Sequence, residues 1–230
     1  MKAKTFLFTL LFGAAAIAPV LAKDDARERA DKRIRDSAAV LQEILNAGNK
    51  GPRHDLSEKA RCVGVIPSLK RAGFIVGAKY GKGVVTCRLP GGGWSAPEIV
   101  RIEGGNIGLQ IGAGETDLVF AVMNQRGMDR LMADKFTVGG DAAVMAGPVG
   151  GETTAETDAA LTAEILSWSR ARGVFAGVTL NGATLAPDKD DNHALYGPDA
   201  GAHEILLGMA KPTAAAQPLF DDLRAFPPRG

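Results

Sequence analysis

The sequence predicts a single α+β domain in which a glycine-rich antiparallel β-sheet, curled into a barrel or sandwich, is covered by N-terminal, middle and C-terminal helices. Three observations predict it. From Cys62 to Val122 short β-branched runs follow one another at close intervals with glycine at their edges. Helical patterning falls outside that stretch, before residue 48 and after residue 123. No segment repeats with a fixed period, so one layered domain is the economical parse.

The first element is a leader. Lys2 and Lys4 precede the apolar stretch Phe6 to Ile17, and Val20-Leu21-Ala22 comes before Lys23-Asp24-Asp25. That is the order of parts in a secretory signal peptide, residues 1–22, with cleavage after Ala22. The alternative, a membrane anchor, needs roughly 20 apolar residues, more than this run supplies, and Pro19 interrupts its end. The expectation is an exported protein of the periplasm or cell envelope. No cysteine ends the leader, so a thioether-linked lipid is not expected. Residues 1–22 hold two lysines and no acid, and their removal takes the formal charge from +1 to −1. A nearly neutral chain is a poor nucleic-acid binder, because it has no basic excess with which to release counterions from phosphates.

Residues 23–47 read as a helix with Ile34, Val40, Leu41, Ile44 and Leu45 on one side, ended by Asn46 and Gly48. Asp55 to Ala60 reads as a short capped helical turn. The β runs are Val63–Ile66, Gly73–Gly77, Gly83–Cys87, Ile99–Ile102, Ile107–Gly112 and Asp117–Val122. Asn124 to Phe136 returns to helical spacing through Met128, Leu131, Met132 and Phe136. A threonine-rich stretch, Glu152 to Thr157, precedes two strands, Ala163–Ser169 and Gly173–Leu180, joined as a hairpin by Arg170-Ala171-Arg172. Ala183 to Tyr196 reads as turns and Asp199 to Gly208 as a last short helix. The domain is placed at residues 23–210. Residues 211–230 form an Ala/Pro-rich tail with one apolar cluster, Leu219, Phe220, Leu223 and Phe226.

Cys62 and Cys87 are the two cysteines, each in a β-type run, and export makes an even count worth reading as a pair. A disulfide bond between adjacent antiparallel strands and two buried thiols are both open, since a bridge requires a Cα separation that sequence does not supply.

A series of segments carries a family resemblance. Val65-Ile66-Pro67-Ser68-Leu69-Lys70-Arg71-Ala72-Gly73-Phe74 is followed by Gly77-Ala78-Lys79-Tyr80-Gly81-Lys82-Gly83 and Gly93-Trp94-Ser95-Ala96-Pro97. Then come Gly108-Leu109-Gln110-Ile111-Gly112, Gly147-Pro148-Val149-Gly150, Gly173 to Gly182 and Tyr196-Gly197. The ordered series resembles the SYLF domain family, in its bacterial exported branch, and runs through nearly the whole chain after the leader. Trp168-Ser169 stands where the family more usually has Tyr-Ser. The resemblance implies a lipid-binding module. Eukaryotic relatives look like phosphoinositide- and acidic-phospholipid-binding proteins, some of which also bind actin. Phosphoinositides do not suit an exported bacterial protein, and anionic glycerophospholipids take their place. No actin is expected among the partners, on the ground that an exported protein meets none.

Lys70, Arg71, Lys79, Lys82 and Arg88 fall within twenty residues, and together they predict a basic patch that draws the protein to an anionic leaflet. The bland alternative is an ordinary solvated face. Trp94 follows Gly91-Gly92-Gly93, where an indole can lie at headgroup level or close over a core. Asp188, Asp190 and Asn192 have the D-x-D-x-N spacing of a calcium loop, but His193 replaces its glycine and Asp199 its closing glutamate, so a plain Asx-rich turn is preferred. His54, His193 and His203 form no HExxH, no GxSxG elbow is present, and Ile111-Gly112-Ala113-Gly114-Glu115 lacks the marks of a nucleotide loop. No enzyme activity and no cofactor are expected. The reading is a peripheral lipid-binding protein of the envelope that meets anionic phospholipid through the basic patch. The rival is a structural or interaction protein binding an envelope protein without lipid dependence.

Overall fold

The structure is a computed structural model and describes residues 18–47, 56, 60–73, 76–107, 112–140, 143–147, 163–171, 174–180 and 182–224. Its frame is a curled, largely antiparallel sheet carrying helices on both faces, in agreement with the α+β expectation. The long strands are β1 (Cys62–Gly73), β2 (Val76–Cys87), β3 (Glu98–Ile107) and β4 (Gly112–Val122). Shorter ones follow: β5 (Phe136–Thr137), β6 (Val144–Ala146), β7 (Ile165–Ala171), β8 (Val174–Gly177) and β9 (Ala183–Pro187). Their spatial order is β5-β9-β3-β2-β1-β4-β7-β6, with β8 paired to β7. Only β6 with β7 is parallel among these pairs.

The central strands are apolar on both faces, so their sequence reads as continuous runs rather than an alternation. One face carries Val63, Val65, Val84, Ile99, Val119 and Trp168 against α1 (Ala18–Asn46), whose Ala30, Ile34, Ala38, Leu41 and Ile44 pack on it. The other carries Ile66, Leu69, Val85, Ile102, Leu118 and Phe120 beneath α2 (Gln125–Leu131), Phe136 and Val138. Close packing explains two of the glycines. A Cβ on Gly64 would fall about 2.0 Å from the Phe120 ring, and one on Gly147 about 1.9 Å from the Trp168 indole. Aromatic rings occupy the space these residues vacate.

Cys62 and Cys87 are directly opposed in the β1–β2 register and form a disulfide bond, both fully buried. Beside them Thr86 donates from Oγ1 to the Ser95 carbonyl at 2.8 Å, and the Cys87 N–H donates to Ser95 Oγ at 3.0 Å. A buried polar corner is thereby satisfied.

Several expectations are revised. The run Gly73–Gly77 is not a strand of its own: β1 ends at Gly73 and β2 opens at Val76, and residues 74–75 lie outside the described residues. Of the run Ile107–Gly112, Ile107 ends β3 and Gly112 opens β4, and residues 108–111 lie outside the described residues. Pairing of β1 with both neighbours, interrupted by one bulge, runs through residues that read as separate short strands. The middle helix stops at Leu131, capped by Asn124 accepting from the Gly127 N–H, and Phe136 opens a strand instead. Ala183–Tyr196 is not a string of turns: it forms β9 and then α3 (Lys189–Tyr196). Pairing with β3 on one side and β5 on the other makes a strand of a segment whose proline and polar residues suggested a loop. A shorter helix α4 (Ala202–Leu206) follows. The stretch read as a tail carries a 3₁₀ turn (Ala214–Ala216) and α5 (Gln217–Leu223), whose Leu219 and Leu223 are buried against α1. Thr213 Oγ1 donates to Asp31 at 2.7 Å and fixes that contact. Residues 55 and 57–59, the threonine-rich stretch and Phe226 lie outside the described residues.

Candidate functional site

The sheet register sorts the predicted basic residues. Lys70 is opposite Tyr80, and Arg71 is opposite Lys79, on neighbouring rungs at the far end of the β1–β2 hairpin. Successive residues of a strand point to opposite faces. Lys70 and the exposed Tyr80 therefore lie on the α1 side of the sheet, and Arg71 with Lys79 on the other. Lys70 makes an exposed ion pair with Glu115 at 3.9 Å, a contact that contributes little in high dielectric. Arg71 and Lys79 oppose each other with like charge. Burial and then the Arg71 charge pull the Lys79 ammonium below its usual pKa.

The other three residues are elsewhere. Lys82 is enclosed, paired with Asp188 and, at 3.2 Å, with Asp191. Burial opposes its charge, but the two carboxylates outweigh it and hold its pKa above the ordinary value. This lysine links β2 to α3 and presents no open cation. Arg88 directly follows β2, nine residues from Lys79 and roughly 30 Å away at strand rise. Its Nε donates to the Ala60 carbonyl at 3.1 Å, and its guanidinium stacks 4.6 Å from the centroid of the Trp94 ring. Trp94 is half-buried and packs on the α1-side core. The structure thus places Lys70, Arg71 and Lys79 on adjacent rungs at one end of the hairpin, Lys70 on the face opposite the other two, and separates Lys82, Arg88 and Trp94 from them.

The D-x-D-x-N segment does not form a loop. Asp188 caps α3, accepting from the Asp191 N–H, while its other oxygen meets Lys82. Asn192 clasps the β3 backbone, accepting from the Ile99 N–H at 2.7 Å and donating to the Ile99 carbonyl at 2.9 Å. Asp190 is exposed on the helix. Helical geometry turns these oxygens in different directions, and the two buried ones already have partners. Among the described residues no group of three His, Cys, Asp or Glu is placed to hold a metal ion.

Sequence reasoning missed three features. Arg170 on β7 joins Asp117 on β4, at 2.6 Å, and Glu43 on α1. Asp117 also accepts from the Ser68 N–H at 3.0 Å, where β1 bulges and Ser68 takes φ 50°. Glu98 is fully buried, and neither carboxylate oxygen has a hydrogen-bond partner among the described residues. Burial pushes its pKa up to about 8. An acid flanked by Pro97 and Ile99-Val100 was the available signal. A cleft of about 600 Å³, lined in part by Met132, Asp134, Lys189, His193, His203 and Glu204, opens between α2 and the α3–α4 segment, bridged by Lys189 and Asp134 at 2.9 Å.

No helix among the described residues is long and apolar enough to cross a membrane, which leaves strands out of account. Residues 103–226 match the family model described as "Ysc84: Las17-binding protein actin regulator". The chain is 34% identical over 197 residues to SH3 domain-containing YSC84-like protein 1 of Rattus norvegicus and of Homo sapiens, an alignment covering 83% of this chain and 57% of each relative. It is also 34% identical over 177 residues to LAS seventeen-binding protein 3 of Saccharomyces cerevisiae, covering 75% of this chain and 38% of that protein. The chain spans about half the length of the animal relatives it matches. These findings overturn the expectation that actin has no place: the family is described by actin regulation, and the exclusion rested on presumed location instead of on the domain. Over more than half its length the sequence fits one family model, and the chain belongs to the Ysc84 (SYLF) domain family.

Proposed function

We propose that this protein is a peripheral binding module of the cell envelope, exported by its leader, that meets anionic phospholipid headgroups through the cations at the far end of the β1–β2 hairpin. The observation that carries this reading is the placement of Lys70, Arg71 and Lys79 on two adjacent rungs at the hairpin end, with Lys70 and the exposed Tyr80 on one face and Arg71 and Lys79 on the other. Each base held near an anionic surface adds roughly 1 kcal/mol of attraction, so three give weak, salt-sensitive association. An aromatic side chain at the same edge suits the headgroup level. Lys82 and Arg88 contribute to the fold around the patch and not to the contact.

The test is cosedimentation of the full chain with neutral and with phosphatidylglycerol vesicles at low and high salt. Binding confined to the anionic vesicles, reduced by salt and by the triple change Lys70→Gln, Arg71→Gln and Lys79→Gln, is expected. Equal binding to neutral vesicles, or binding unaffected by the triple change, refutes the patch.

A second reading is favoured by the relatives' names: the domain meets a protein of the actin-regulating machinery or its counterpart in the compartment it occupies. On that reading vesicles do not bind, and F-actin cosediments with the protein.

A further inference from the structure

The face that carries Arg71 and Lys79 has a composition that the other face lacks. Reading across the sheet, the rung is Gly114, Arg71, Lys79, Gly104, Ala183 on β4, β1, β2, β3 and β9. Two cations thus stand side by side between residues with no side chain or only a methyl. Above Gly104 the rung is closed, since a Cβ there would lie 2.7 Å from the Gly182 carbonyl oxygen. Beside Gly114 no described residue lies within 4 Å of the corresponding position. The next rung toward the core is Thr116, Leu69, Gly81, Ile102, Leu185, which supplies an apolar floor and one hydroxyl.

Among the described residues three polar groups here lack partners. Arg71 Nε and Thr116 Oγ1 are both buried atoms with no hydrogen-bond partner, and Lys79 makes no ion pair among the described residues. Leaving buried donors unmade costs free energy, and opposing like charges adds to it. The acids among the described residues do not offset this. Glu103, Glu115 and Asp117 alternate onto the opposite face, and Glu98, six residues along β3 from Gly104, lies roughly 20 Å away.

We propose that Arg71, Lys79 and Thr116 form an anion cradle for a phosphomonoester, entered from the Gly114 side. A guanidinium and an ammonium match the two charges of a terminal phosphate, and the hydroxyl donates to a third oxygen. A lipid carrying a terminal phosphate and a soluble phosphate share this chemistry. The lipid source rests on the membrane reading above, whereas the cradle itself does not.

The experiment has two arms, run on the full chain, on Arg71→Gln, on the near-isosteric Thr116→Val, and on Lys32→Gln as a charge-matched control on α1. In the first arm inorganic phosphate is titrated against chloride at constant ionic strength and the thermal midpoint is followed. A saturable rise, shared by Lys32→Gln and weakened roughly tenfold or more in apparent affinity by Arg71→Gln and by Thr116→Val, is expected. In the second, vesicles containing phosphatidic acid are compared with vesicles matched in charge by cholesteryl hemisuccinate, a carboxylate. Preference for phosphatidic acid, lost in Arg71→Gln, supports the lipid source. A phosphate-dependent rise without vesicle binding supports the cradle with a soluble ligand and removes the membrane reading. Binding to both vesicle types alike, with no phosphate-dependent rise, overturns the cradle and leaves a surface attraction only. No response in either arm overturns both.

Discussion

Glu98 offers the sharpest physical test of the fold. Its side chain is fully buried near the start of β3, and neither oxygen has a partner among the described residues. Its pKa rises from 4.5 in the unfolded chain to about 8 in the folded one, because burial disfavours the carboxylate. The folded state therefore holds a proton that the unfolded state has released throughout the window between those values, and stability falls as pH rises across it. Each pH unit inside the window is worth roughly 1.4 kcal/mol, so moving from pH 5 to pH 8 removes roughly 3 to 4 kcal/mol. In a domain of this size that corresponds to a drop on the order of 10 °C in thermal midpoint. Glu98→Gln carries no titrating group there. The assay is urea unfolding of both proteins at half-unit steps from pH 5 to pH 8.5, taking the difference at each pH so that other titrating groups cancel. The difference should grow steadily in favour of the variant as pH rises. A difference that stays constant across the window refutes the buried, unpartnered carboxylate.

Four further outcomes follow from the packing. Asp117→Asn removes the charge that pairs with Arg170 and weakens the bracing of Ser68, and should cost about 2 to 3 kcal/mol by denaturant unfolding. Reduction of the Cys62–Cys87 bond opens a covalent loop with a sequence separation of 25, and chain entropy sets the loss near roughly 3.5 kcal/mol, read as a lowered midpoint in reductant. Gly64→Ala drives a methyl into the Phe120 ring and should destabilise by roughly 1 to 3 kcal/mol, with Phe120→Leu in the same chain restoring part of it. Lys79→Gln relieves the repulsion with Arg71 and should raise stability by roughly 0.2 to 1 kcal/mol, a gain that calorimetry at neutral pH would register while phosphate binding is lost.

The first helix and most of the strands up to Val122 were legible because local pattern and burial agree there. The apolar stripe of α1 and the β-branched runs up to Val122 declare themselves, and the cysteines stand on strands that prove to be neighbours. Agreement fails where pairing partners decide. Ala183–Pro187 carries a threonine and a proline and no alternation strong enough to announce a strand, yet it is held between β3 and β5. The segment after Lys211 reads as a tail because alanine and proline dominate it. Leu219 and Leu223 nonetheless have the four-residue spacing that places both on α1.

The candidate site shows the same division more sharply. Counting cations along the chain gives five within twenty residues, but a strand sends alternate side chains to opposite faces, and a sequence distance of nine along β2 is a large distance in space. Register, bulge and partner together decide which charges are open. The irregularity between Ile66 and Leu69 puts Leu69 and Arg71 on the Phe120 side of the sheet. Had β1 run without it, Arg71 would face α1 and stand in the row with Glu115 and Glu103, where its charge would be offset. Lys82 differs from Lys79 by three positions and so falls on the other face, within reach of Asp188 and Asp191. Two lysines of the same motif thereby acquire opposite electrostatics: one is held above its ordinary pKa by carboxylates, the other pressed below it by burial and a neighbouring guanidinium. A structural cation is one whose counter-charge the fold provides. Among the described residues Arg71 and Lys79 have none nearby on their face, and a ligand anion is the charge that would complete them.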